Sequence, residues 1–81
     1  MRIDKYLKIS RIIKRRSVAK EACDMGRVSI NGRTAKAGSE VEPGDEVFIE
    51  FGNSSLKFKV LATPEVIRKE NVSTMYELIN E

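Results

Sequence analysis

Histidine is absent from this 81-residue chain, and cysteine occurs once. The first absence removes the commonest metal ligand and the usual acid–base group near neutral pH. The second leaves Cys23 without a partner for an internal disulfide. There is also no Ser/His/Asp set, no metal cluster, no phosphate-cradling glycine loop and no convincing pair of general acid–base carboxylates. The expectation is a protein that is not an enzyme and holds neither a metal nor a cofactor. No apolar run approaches the roughly 20 residues that cross a bilayer, so no membrane partner is expected. A lone thiol with no signal sequence fits the reducing cytoplasm. Internal repeats and low-complexity segments are missing too. The length allows one domain with a core that is only marginally sufficient.

Acidic residues are scarce in one half only. Through Lys36 the chain carries eleven Lys and Arg against Asp4, Glu21 and Asp24, a formal +8. From residue 37 onward, four cations face nine acids, a formal −5. The net +3 therefore conceals a strong dipole whose basic end suits a polyanion, nucleic acid first among them.

Hydrophobic period sets the architecture. Over residues 2–11, Ile3, Tyr6, Leu7, Ile9 and Ser10 share one helical arc, with Asp4, Lys5, Lys8 and Arg11 opposite. Continuing this helix would bring Lys14 into the apolar arc, so it should end between Ile9 and Ile12. Ser17 is expected to N-cap a second helix, with Val18, Ala19, Ala22, Cys23 and Met25 along one face and Gly26 as its left-handed terminator. The two helices should bury Ile3, Leu7, Val18, Ala22 and Met25 together.

The period then changes from 3.6 to 2. Val28 to Ile30 runs into Asn31-Gly32, a type I′ hairpin signal, with Arg33 to Lys36 as the return strand. Pro43-Gly44-Asp45 and Gly52-Asn53-Ser54 mark further turns around strands carrying Val47, Ile49 and Phe51, then Leu56, Phe58 and Val60. The expected fold class is α+β, a helical hairpin followed by a small twisted antiparallel sheet. The domain should span 1–62, with a tail over 63–81 in which Ser73 could cap a short helix over 73–80.

Lys14, Arg15 and Arg16 stand where the second helix begins. Cations are unfavourable at a helix N-terminus by a few tenths of a kcal/mol each. An external phosphate between the guanidinium groups and the free backbone N–H groups would reverse that sign. Lys5, Lys8 and Arg11 face outward on the first helix, Arg2 lies at its start, Lys20 on the second, and Arg27 and Arg33 flank the hairpin. These ten residues are the candidate nucleic-acid contacts, with Arg16 and Arg2 expected to matter most. Arginine at the turn favours forked phosphate contacts over diffuse attraction. Five other residues stand out, and all but Cys23 have two readings. Asp4 either orients Lys5 or Lys8, or caps the first helix. Tyr6 either stacks on a base or packs in the core, and Cys23 is most simply a small core residue. Asn31 and Gly32 shape a turn that could also approach RNA.

Composition does not choose RNA over DNA. The run MRIDKYLKISRIIKRRSVAKEACDMGRVSINGRTAK followed by VEPGDEV, within residues 1–47, does. Its R-hydrophobic-D-K start, KRR-S turn, G-R-V and N-G hairpin resemble the S-four RNA-binding domain, whose fold is two helices and a small curved sheet. Among its stand-alone members the chain is similar to the bacterial ribosome quality control P factors. The terminal NVSTMYELINE resembles their Met-Tyr segment, and the chain lacks the long basic extension of the small heat-shock S-four proteins. The resemblance implies binding to large ribosomal subunits obstructed by peptidyl-tRNA, with contacts to large-subunit rRNA and P-site tRNA. It also implies support for the tail-adding factor RqcH, which extends stalled chains with alanine without mRNA. It carries RNA-facing roles onto Arg2, Lys5, Lys8, Arg11, Lys14, Arg15 and Arg16. A monomer off the ribosome is expected. Two alternatives stay open: recycling of blocked subunits in the heat-shock manner, and a protein-interaction adaptor whose acidic sheet binds a basic partner.

Overall fold

The structure, a computed structural model, describes residues 1–63 and 75–79. Helix α1 spans Ile3–Ile9 and buries Ile3, Tyr6 and Leu7, the arc that the period predicts, but also Asp4. Ser10 ends it, and Arg11 follows in the left-handed region at φ 64°. Helix α2 spans Arg16–Asp24, with Arg15 as its N-cap and no side-chain capping bond. Ser17 therefore lies inside the first turn and is not the cap. The helix begins two residues earlier because the Arg15 carbonyl already accepts from the Val18 and Ala19 amides. Gly26 does terminate the helix, at φ 73°.

The face of α2 that meets the core differs from expectation. Ala19 and Cys23 are buried, whereas Val18 is 48 % and Met25 57 % exposed. A helical wheel weights bulk, but two helices joined by a short turn approach closely, and small side chains occupy the contact. Burial, with Asp4 and Asp24 adding to it, pushes the Cys23 thiol up to about 11 from 9.0. Burial also raises the Tyr6 phenol. Both folded-state values lie above the unfolded ones, so the Cys23 contribution is complete below pH 9 and is lost as pH rises towards 11, while the Tyr6 contribution begins to be lost only above pH 10. The urea midpoint should accordingly fall across that window, and Cys23→Ala should flatten the fall.

Five antiparallel strands follow in the order β2-β1-β3-β4-β5: β1 Val28–Ile30, β2 Arg33–Thr34, β3 Glu46–Phe51, β4 Ser54–Val60 and β5 Tyr76–Leu78. The β1–β2 turn is the Asn31-Gly32 hairpin, with φ of 52° and 83°. The Asn31 side chain fastens the hairpin to β3, its Oδ1 accepting from the Glu46 amide at 2.9 Å. The return strand is shorter than predicted. After Thr34 the chain leaves the sheet so that residues 37–41 can bond the N-terminus: the Ile3 amide donates to Ser39 O at 2.7 Å and the Val41 amide to Met1 O at 2.9 Å. Val47, Ile49, Phe58 and Val60 line the buried face, but Phe51 at the strand end is exposed.

The tail corrects the sequence reading. Ser73 lies outside the described residues, but Tyr76–Leu78 is a strand on the edge of β4, in register Phe58↔Leu78, Lys59↔Glu77 and Val60↔Tyr76. A helix this short gains little alone, whereas a strand here satisfies an otherwise open sheet edge. Tyr6 settles its two readings in favour of packing. It is fully buried, its ring stacks on Phe58 at 6.2 Å, and its hydroxyl donates to the Met75 carbonyl at 2.7 Å.

Candidate nucleic-acid interface

Asp4 organises the basic surface. The sequence pattern places it on the outward arc of α1, yet it is only 2 % exposed. One carboxylate oxygen, Oδ1, accepts the Lys5 amide at 2.8 Å, a capping-type bond at the first turn. The other, Oδ2, lies 3.2 Å from Arg2 Nη2 and 3.4 Å from Arg16 Nε. The two arginines ranked highest from sequence thus come together through one buried carboxylate, from the starts of two different helices. Both side chains remain 49 % exposed.

The frame behind Arg2 is fixed. Its backbone forms a bridge with Glu40, and the Met1 ammonium pairs with the Glu40 carboxylate at 2.6 Å. Its guanidinium lies over Gly38, where an added Cβ would sit 3.9 Å from Nε and Nη2. Nothing in the residue pattern of 36–41 signals this support. A signal for Asp4 was present, in that one acid stands among seven cations over residues 2–16.

A second cationic group forms at the other end of α1. Lys8, Arg11 and Lys14 line a hollow of about 420 Å³ with Ile9. A non-glycine residue at positive φ carries a backbone cost of roughly 1–2 kcal/mol, and such strain often marks a functional position. At Arg11 it aims a cation where glycine would be easier for the backbone. Arg11→Gly should therefore hold or raise stability, by up to about 1 kcal/mol, while weakening polyanion binding. Urea unfolding and a filter-binding assay on the same sample would check both halves.

The remaining candidates divide. Lys5 is half-buried and engaged within the molecule. Arg15 and Lys20 are exposed on the α2 side, and Lys20 follows Arg16 by four residues on the same helical face. Arg27 lines a separate hollow with Glu21, Glu50, Val18 and Met25, among acids rather than cations. Arg33 lies on the edge strand β2 opposite Ile30, outside both groups. Ser17, expected to cap α2 beside a phosphate, makes no capping bond, and the cations at that helix start gather instead through Arg16 on Asp4, with Arg2.

The acids of the sheet have internal work. Glu46 and Glu77 flank Lys59 in register across β3, β4 and β5. Asp45 accepts from Asn31 and from the Glu42 amide. Among the described residues, no group of three or more Cys, Asp or Glu could hold a metal, and no helix is long and apolar enough to cross a membrane.

Comparison with known proteins finds relatives along the whole chain. Residues 1–47 match the S4 domain. The chain is 52 % identical over 81 residues to the "RQC P-site tRNA stabilizing factor" of Streptococcus pneumoniae, covering all of this chain and 92 % of that protein. It is 49 % identical over the same span, with the same coverage, to the protein of that name from Halalkalibacterium halodurans. Among solved structures, the trimeric Heat Shock Protein 15 of Vibrio cholerae superposes with a TM-score of 0.87 at 26 % identity, over 98 % of this chain and 81 % of that one.

Proposed function

Since this chain belongs to the S4 domain family and to the group of RQC P-site tRNA stabilizing factors within it, we propose that it is a non-enzymatic RNA-binding factor of ribosome-associated quality control. It binds large ribosomal subunits obstructed by peptidyl-tRNA, touching large-subunit rRNA and the P-site tRNA through phosphate contacts. By holding that tRNA it supports RqcH in adding alanine to the stalled chain without mRNA. It acts in the cytoplasm, without metal or cofactor, and is a monomer off the ribosome.

The observation that carries this reading is the pair of half-exposed arginines fixed on one buried carboxylate. Arginine forks are suited to phosphate oxygens, and recognition of folded RNA depends on shape and backbone more than on base edges. With about five phosphate contacts, log affinity should fall against log salt with a slope near −3.5 to −4.5. Co-sedimentation with obstructed large subunits across a salt series measures it, and a flat response would favour the adaptor reading.

The structural likeness to Heat Shock Protein 15 supports a second ribosomal reading, recycling of the blocked subunit. Deleting the gene separates the two. Loss of alanine tails on stalled chains is expected here, and unchanged tails with accumulating blocked subunits would support recycling.

A further inference from the structure

We propose that Asp4 is a positioning residue that gives up general attraction for polyanions in exchange for a fixed arginine pair, which selects folded RNA over unstructured RNA. The proposal rests on the RNA-binding reading above and concerns how that surface discriminates.

Electrostatics alone argues against Asp4. It sits in the basic half of the chain and subtracts one charge from a face built to attract phosphates. Burying a carboxylate is also costly unless it is paired and hydrogen-bonded. Asparagine would have nearly the same shape, could still accept the Lys5 amide, and would leave the face more positive. The carboxylate instead holds Arg2 Nη2 and Arg16 Nε, at 3.2 and 3.4 Å.

The way each arginine is held indicates what is gained. Arg16 meets Asp4 as an ion pair through Nε at 3.4 Å, which leaves the two Nη groups available as a fork. Arg2 is bound through one Nη and lies against Gly38, on a backbone bridged to Glu40. Both guanidinium groups are thereby tethered to the same carboxylate oxygen. Two forks at one set separation fit phosphates that a folded RNA already holds at that spacing. A flexible strand can adapt to any arrangement of cations, so it responds chiefly to their number. Asp4 also ties the start of α1 to the start of α2, so the pair keeps its spacing only while the helical hairpin is docked.

These two roles for Asp4 predict opposite signs. In the full chain, Asp4→Asn is expected to weaken binding to obstructed large subunits about tenfold, the worth of ordering side chains at an interface. The same variant should bind poly(U) more tightly, with a salt slope steeper by about 0.7 for one further phosphate on a single strand. A merely structural role would lower both affinities together. Subunit binding that is unchanged or tighter in Asp4→Asn would overturn the proposal, and so would a parallel loss on both ligands.

Arg16→Lys provides a version that does not disturb a buried residue. It keeps the charge on an exposed side chain but removes the fork and the Nε contact. Subunit affinity should fall at least fivefold while poly(U) binding holds, and equal subunit binding would also overturn the proposal. Wild-type protein that binds subunits no better than poly(U) would instead remove the functional reading itself.

Discussion

Arg16→Glu should abolish co-sedimentation with obstructed large subunits at near-physiological salt, an affinity loss of about a hundredfold or more. Two effects act together. The substitution removes a fork and replaces it with a charge that repels the same phosphate, and hydrogen bonds to charged groups are worth about 1.5–3 kcal/mol each. A second carboxylate also arrives beside Asp4, where a cation stood 3.4 Å away. Asp4 then keeps only Arg2 of the pair, and Arg2 is drawn further into that ion pair and away from solvent. A hundredfold loss corresponds to about 2.7 kcal/mol, within reach of these terms combined. Because Arg16 is half-exposed at a helix start, the new side chain can turn towards water, so the thermal midpoint should move by only a few degrees. Binding within threefold of wild type would contradict the placement of the site.

The same cluster explains what was legible in the sequence. The apolar arc of α1, the Asn31-Gly32 hairpin and the alternation of β3 and β4 are local patterns, and each appears where its period or turn chemistry puts it. The structure brings Arg2 and Arg16 together on one carboxylate; the sequence marks Arg16 by its place at a helix start, where a cation opposes the helix dipole, and Arg2 by its place beside the outward face of α1. The identity of the inner partner was not legible. Asp4 stands out only as the one acid among the cations of residues 2–16, and the docking of α2 is what turns that position inward to meet Arg16. Val18 and Met25 fail for a related reason: their burial depends on how closely two helices approach, which Ala19 and Cys23 determine.

The tail fails for a different reason. Met75, Leu78 and Ile79 have helical spacing, but the open edge of β4 decides the outcome from a distance. Pairing with that edge also places Tyr76 edge-on to Phe58, with ring centroids 5.5 Å apart. No local window contains that information. The acidic half changes meaning as well. Glu40 anchors the N-terminus behind Arg2, and Asp45 helps hold the hairpin. Those acids therefore position the basic face from behind, in addition to lying apart from it.

Phe58→Ala should produce the largest loss of stability, about 3–5 kcal/mol. For a chain of this length that lowers the thermal midpoint by at least about 12 °C, and it removes much of a total stability that is typically only about 5–15 kcal/mol. Phe58 is fully buried where three elements meet: it stacks on Tyr6 of α1, lies opposite Val47 of β3, and faces the ring of Tyr76 in β5. Truncation leaves a cavity that none of these can fill without moving its backbone. Tyr6→Phe provides the scale. It keeps the stack and removes only the hydroxyl, and the Met75 carbonyl still accepts from the Leu61 amide at 2.7 Å. Its cost should therefore stay near about 1 kcal/mol. Phe51→Ala, on the exposed end of β3, should cost less than Phe58→Ala by about 2 kcal/mol or more. Denaturant unfolding of the three variants tests this order. Because α1 carries both Asp4 and the Tyr6 contact, loss of Phe58 should also release the arginine pair, so subunit binding by Phe58→Ala should fail at temperatures where Tyr6→Phe still binds.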